Sequence, residues 1–283
     1  MRLFLLFILL AHLFLLSSCK KYQPATPTFF LKSNNVVVSP KGANNTTTNQ
    51  KITDLWFYVD GQFEGIYPVG NLMPVPCNNQ NVTINVFAGI KNNGISDTRI
   101  FYPFFDFIRF DTLVKGGATI ERNFTFSYKA ATVFTWTENF DVINGRSVHQ
   151  VGAGVMDNAP KEDSFENQSL RVTLPSGGVN TRIISSSDGF VLPPSTGNVF
   201  LELNYKCNAP FTVGLMGDDG SPSPAIVVNA QTNWNKIYVQ LSTPVNTLIT
   251  SKYKVYFEML GDGTPGDKQM FLDNIKLLFL PPS

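Results

Sequence analysis

The sequence predicts an all-β protein built as two sandwiches in tandem. Apolar and polar residues alternate with period two through many short segments. Clusters of Gly, Pro, Asn and Asp interrupt those segments about every 8–12 residues, the spacing of short strands joined by turns. Phe and Tyr number 24 and 9, and together with abundant Val and Thr they suit pleated, half-buried surfaces. No segment combines the helical period with capping residues.

Residues 1–18 read as an export leader. Arg2 supplies the charged start, residues 3–16 are almost wholly apolar apart from His12, and Ser17 and Ser18 are small. The run is short for a bilayer span, which needs about 20 apolar residues. No later segment is apolar for long enough to cross. The stretch Leu16-Ser17-Ser18-Cys19 resembles the lipobox of bacterial lipoproteins, which implies cleavage before Cys19 and acylation of its sulfur, with palmitate-type chains holding the protein to the outer membrane. Each buried methylene adds about 0.8 kcal/mol, so several chains make a lasting anchor. Lys20-Lys21 carries no acidic run of the kind that resembles surface-export signals, so either face of that membrane stays open.

After the leader about 265 residues remain, enough for one large or two modest domains. Loss of Arg2 leaves the two signs of charge equal, which argues against a nucleic-acid partner, since that needs a basic face. His149 is then the one histidine left. Ser-His-Asp, Cys-His and multi-histidine metal chemistry are thereby set aside by counting. Cys77 and Cys207 fall in different predicted domains without CxxC spacing. They read as two buried thiols, with a disulfide in an oxidising compartment as the alternative.

Residues 19–50 read as a tether. Pro24, Pro27 and Pro40 precede the polar run Asn44-Asn45-Thr46-Thr47-Thr48-Asn49, and Val36-Val37-Val38 offers one early strand. Strand alternation starts at Lys51, with Thr53, Leu55, Phe57 and Val59 on one face and Asp54, Trp56 and Tyr58 on the other. Asp60-Gly61 is a type I′ turn signal. Further strands are predicted over 62–67, 81–90, 95–104, 107–113 and 118–128. The segment Trp56-Phe57-Tyr58-Val59-Asp60-Gly61-Gln62, with Gly65 and Pro68, resembles Ig-like modules of Bacteroidetes-type lipoproteins. That implies an Ig-like β-sandwich over 51–129, acting as a spacer. Asp111-Thr112-Leu113 resembles the O-glycosylation site of that phylum, with Thr112 as acceptor.

Ala130-Ala131 marks the boundary to a second domain, 130–283. Its strands are predicted over 134–141, 169–174, 181–184, 199–205, 211–216, 225–228, 234–241, 253–260 and 270–277, while the polar stretch 144–167 reads as a long loop. Three features resemble the carbohydrate-binding, or galactose-binding-like, jelly rolls. They are the cluster from Glu138 to Asp141, the run Phe200 to Tyr205 followed by Phe211 to Leu215 and Trp234 to Tyr238, and the closing Leu272-Asp273-Asn274-Ile275. The resemblance implies a jelly-roll β-sandwich with its first and last strands side by side. It also implies a structural Ca²⁺ held by Glu138, Asp141 and Asp273, since a hard cation takes oxygen ligands. A solvated or hydrogen-bonded set of carboxylates is the alternative.

Alternation turns Val199, Leu201, Leu203, Tyr205, Ile237, Val239, Leu241, Val255 and Phe257 inward. It turns Phe200, Glu202, Asn204, Lys206, Trp234, Lys236, Tyr238, Gln240, Lys254, Tyr256 and Glu258 outward. Aromatic rings stack on sugar faces while polar groups bind hydroxyls, so Trp234, Tyr238, Tyr256, Glu202 and Lys236 are the candidate ligand-binding residues. The competing reading is an outer face covered by the first domain. Glycosidase chemistry needs two carboxylates across a cleft, and Glu202 with Glu258 is the one pair the strands offer. The expectation is a lipid-anchored, non-catalytic module for a polysaccharide or glycoconjugate. A structural or adhesive protein that binds other envelope proteins is the alternative, and a small glycan-acting enzyme is third.

Overall fold

The structure, a computed structural model, describes residues 27–40, 48–77, 80–142, 145–185, 188–193 and 198–282. The leader and Cys19 lie outside them.

The first half holds β1 (Thr28–Val38), β2 (Asp54–Val59), β3 (Gln62–Pro68), β4 (Leu72–Pro76), β5 (Asn81–Lys91), β6 (Arg99–Phe101), β7 (Ile108–Leu113) and β8 (Thr119–Phe126). One sheet runs β4-β1-β8, with β1 parallel to β8. The other runs β3-β2-β5-β6, with β7 also on β5. Their facing sides share one core that includes Phe29, Leu31, Phe57, Ile84, Val86, Phe124 and Phe126. Asp60 (φ 48°) and Gly61 (φ 80°) form the left-handed turn between β2 and β3, as the sequence predicts.

Two expectations are corrected here. The tether does not extend to Gln50, because β1 fills Thr28–Val38 with alternating buried side chains. The strand predicted over 95–104 is only β6, since 92–98 forms a turn laid on the second sandwich. Thr112 of the glycosylation-like triplet is half-buried within β7, opposite Val82.

The second half holds β9 (Val133–Glu138), β10 (Val148–Gly152), β11 (Val155–Asn158), β12 (Leu170–Leu174), β13 (Asn180–Ser185), β14 (Val199–Cys207), β15 (Phe211–Gly217), β16 (Pro222–Val228), β17 (Gln231–Gln240), helix α1 (Ser242–Thr247), β18 (Tyr253–Leu260) and β19 (Lys268–Phe279). A five-stranded sheet, β10-β13-β18-β15-β16, faces a six-stranded one, β11-β12-β19-β14-β17, with β9 also on β19. The first and last strands therefore lie side by side, with Glu138 opposite Ile275. The polar stretch expected as a loop supplies β10 and β11, both on sheet edges. Cys77 and Cys207 are buried free thiols.

The inward set from alternation is the core: Val199, Leu201, Leu203, Tyr205, Ile237, Val239, Leu241, Val255 and Phe257 pack in one cluster. The outward residues Phe200 and Tyr238, with Leu278, belong instead to the core of the first sandwich. The two sandwiches are thus joined by a buried seam along the outer face of β14, β17 and β19.

Candidate functional site

The seam is built around one carboxylate. Glu202 and Tyr238, paired across β14 and β17, both point into it. Glu202 is fully buried, and its Oε1 accepts 2.8 Å hydrogen bonds from the hydroxyls of Tyr102 and Tyr128. Its Oε2 lies 3.0 Å from Lys236 Nζ, an ion contact without hydrogen-bond geometry, and 3.9 Å from Lys276 Nζ. Burial raises the pKa of Glu202, but the charges of Lys236 and Lys276 and the Tyr102 hydrogen bond outweigh it and leave the carboxyl below its ordinary value. Lys276 is the weaker partner. Burial lowers it to about 8, against the pull of Glu202. The Tyr238 and Tyr128 rings, each 5.5 Å from a lysine nitrogen, face these cations. Tyr102 contacts Phe200 and Tyr238 at centroid distances of 5.6 and 4.8 Å.

An open binding face is therefore corrected for three of the candidate residues, and the competing reading from the sequence, a face covered by the first domain, holds for them. Glu202, Lys236 and Tyr238 are 0, 5 and 2% exposed, because the Tyr102 and Tyr128 region of the first sandwich covers them. Tyr256 is not beside them at all. It lies on β18, on the other outer face of the sandwich, buried against Ile184 and Met216 with Arg182 over its ring at 5.1 Å. The same separation parts Glu202 from Glu258, which pairs with Arg182 at 2.7 Å, so those two acids do not face each other across a cleft. Trp234 is half-buried further along β17, donating to the Asp163 carbonyl at 3.0 Å and packed on Phe165 and Phe271.

The three acids named for a metal are each taken up by hydrogen bonds. Both Glu138 oxygens are occupied, accepting from the Phe140 and Ser147 amides and the Ser147 hydroxyl at 2.6–2.8 Å. Asp141 accepts from Asn139 and Asn167. Asp273 accepts from Ser169 and the Asn274 amide, both at 2.6 Å. Among the described residues, no three His, Cys, Asp or Glu are arranged to hold a metal ion. Asp273 sits where β19 kinks through Asn274 (φ 48°). Its pKa is raised to about 7, chiefly by burial and further by the charges of Glu166 and Asp141.

Where the seam reaches solvent it opens into a cleft of about 540 Å³. Lys236, Ile237 and Tyr238 line it from β17, an edge strand. One wall is the turn Asn92-Asn93-Gly94. Its amides make it serve as a neighbouring strand: Asn93 N donates to the Tyr238 carbonyl at 2.9 Å, and Asn93 Oδ1 accepts from Gln240 N at 2.8 Å. Asn93 (φ 55°) and Gly94 (φ 69°) take the left-handed backbone this requires. The opposite wall is the β16–β17 connection through Val227, Asn229 and Gln231. Tyr205 accepts a 3.0 Å hydrogen bond from Asn235 Nδ2, and Lys51 Nζ donates to Asn235 Oδ1. Lys51 N donates to the Tyr238 hydroxyl at 3.0 Å, so the second aromatic candidate holds the cleft together. Amide side chains, a neutral phenol and short apolar walls are the lining a polyhydroxylated ligand needs.

A second feature was not anticipated. Trp56, Tyr58, Phe63, Phe87, Phe101 and Phe107 form one aromatic group on the outer face of the β3-β2-β5-β6 sheet, with neighbouring centroids 5.0–5.8 Å apart. Phe63, Phe101 and Phe107 are about half exposed.

No protein-family model and no curated protein matches the sequence. Several solved structures are similar. A xylan-binding domain from Paenibacillus barcinonensis is 15% identical, with 54% of this chain and 98% of that one covered and a TM-score of 0.39. A family 11 carbohydrate-binding module from Clostridium thermocellum, in complex with a mixed-linked tetrasaccharide, is 11% identical, with 50 and 92% covered and a TM-score of 0.34. An exo-beta-agarase is 13% identical, with 55 and 25% covered and a TM-score of 0.40. At these values the likenesses carry no assignment of a ligand.

Proposed function

We propose that this chain is a lipid-anchored envelope protein of the outer membrane that binds a glycan without catalysis, in the cleft where its two sandwiches meet. The cleft carries the reading. It groups Asn93, Asn229, Gln231 and Asn235, side chains with both donors and acceptors, around the Tyr205 hydroxyl. The first sandwich then does more than hold the second at a distance, because Lys51 and Asn93 belong to the site. Anchoring rests on Leu16-Ser17-Ser18-Cys19. Eight residues separate Cys19 from β1, a reach of at most about 30 Å, so the first sandwich stays close to the membrane.

The test is affinity electrophoresis of the full chain through a panel of polysaccharides, with Ca²⁺ and with a chelator. Retention on one of them, lost in Asn235→Ala while thermal unfolding is unchanged, supports the reading. Mobility unchanged on every polysaccharide refutes it.

The aromatic face of the first sandwich favours a second reading, contact with another envelope protein. Four of its six rings are phenylalanines, which offer nothing to orient sugar hydroxyls but contribute area on burial. Loss of a co-purifying partner in the double variant Phe63→Ser, Phe101→Ser, with saccharide retention intact, supports that role.

A further inference from the structure

We propose that the seam cleft takes an acidic saccharide, with a carboxylate or sulfate ester of the ligand seated between Lys51 and Lys91. The inference rests on the glycan-binding reading and narrows its ligand class.

Three lysines line the cleft, Lys51, Lys91 and Lys236, and none of the lining residues is Asp or Glu. Lys236 is neutralised from behind by Glu202 at 3.0 Å. The other two are not. Lys51 Nζ donates to the Asn235 carbonyl oxygen and Lys91 Nζ reaches the Ser96 hydroxyl at 3.5 Å, both neutral acceptors. Neither has a carboxylate partner among the described residues. The fold holds them together: Lys51 lies three residues before β2, Lys91 is the last residue of β5, and β2 pairs with β5. Desolvation, and then the charge of Lys91, lower the pKa of Lys51. Two ammonium groups kept together without a counter-ion raise the energy of the empty cleft, and a bound anion relieves it. The chain as a whole is close to neutral, so this concentration of positive charge belongs to the site and not to a generally basic surface. The surrounding amides supply the contacts for hydroxyls, and these separate an acidic saccharide from a simple inorganic anion.

The experiment is isothermal titration of the full chain with oligogalacturonate, a sulfated galactan oligosaccharide, a neutral xylo-oligosaccharide and inorganic sulfate. The inference expects at least one acidic oligosaccharide to bind and the neutral one to bind at least about tenfold more weakly, which is 1.4 kcal/mol. Affinity should fall between about 50 and about 500 mM salt, as exposed charges become screened. Lys51→Gln and Lys91→Gln should each weaken binding by about tenfold, and Lys115→Gln, an exposed residue outside the cleft, should not. Equal affinity for the neutral oligosaccharide, with both variants within about twofold of wild type, overturns the acidic class and leaves glycan binding standing. Sulfate binding as tightly as the acidic saccharides overturns the saccharide part. Absence of binding to every saccharide by the folded chain overturns both.

Discussion

Replacing Glu202 by Gln tests the seam. The amide keeps an oxygen for the Tyr102 and Tyr128 hydroxyls, so shape and those two hydrogen bonds survive. What is lost is the buried negative charge beside two nearly buried lysines, Lys236 and Lys276. Stranding buried charges in this way costs about 3–5 kcal/mol, or a fall in Tm of roughly 6–20 °C for a chain of this size. The cost has a pH signature. In the folded wild type Lys276 is already lowered to about 8, and in the variant it loses the partner that holds its proton, so its pKa falls further. A lysine whose folded pKa lies below its unfolded value of about 10.4 stabilises the fold progressively as pH rises between the two. The deficit of the variant should therefore be larger at pH 6 than at pH 9. Above about pH 10 both proteins should lose stability, because Tyr102, Tyr128 and Tyr238 are held neutral in the fold, mainly by burial, and ionise once unfolded. Urea unfolding of wild type and Glu202→Gln across that range reads all of this. A variant within about 1 kcal/mol of wild type at pH 6 would refute the claim that Glu202 neutralises the seam.

Asp273→Asn should stabilise the protein at pH 8. The folded pKa of Asp273 is raised to about 7, so its favourable contribution is complete below about pH 3.9 and lost as pH rises through 7. The three-unit shift sets a ceiling of about 4 kcal/mol, and the advantage of the variant should vanish near pH 4 in denaturant titrations. Gly214→Ala should destabilise by about 1–3 kcal/mol, because its methyl group would stand 2.5 Å from the Ser223 carbonyl oxygen and 2.7 Å from the Tyr256 ring; a thermal melt checks it. Asn93→Ala should loosen the seam, since Asn93 Oδ1 accepts from Gln240 N. Limited proteolysis should then cut faster between the sandwiches.

How far the sequence could be read depended on the range of the interaction. Alternation is local, and it assigned the faces of β14, β17 and β18 correctly, down to Val199, Ile237 and Phe257 in the core. Turn chemistry is local too, and Asp60-Gly61 was legible. Which sheet a strand joins is not local. Tyr238 and Tyr256 have the same pattern around them, yet β17 and β18 lie in opposite sheets, so the two tyrosines never form one platform. The same blindness paired Glu202 with Glu258. The short edge strands β10 and β11 were read as loop because an edge strand has little apolar surface to bury. The two lysines of the cleft, Lys51 and Lys91, were missed because they lie forty residues apart, beside the paired ends of β2 and β5. The aromatic face was half visible: Trp56 and Tyr58 shared a face in the sequence, but their neighbours Phe87, Phe101 and Phe107 required the register of β5, β6 and β7.

The central claim is that a saccharide sits in the seam cleft. The most direct measurement is amide hydrogen exchange of the full chain with and without a retained oligosaccharide. The account predicts slowed exchange in residues 91–95 and 226–236, with the outer faces of β13, β15 and β18 unchanged. Protection confined to those three strands or to the Trp56–Phe107 aromatic face, with the cleft unaffected, would contradict it.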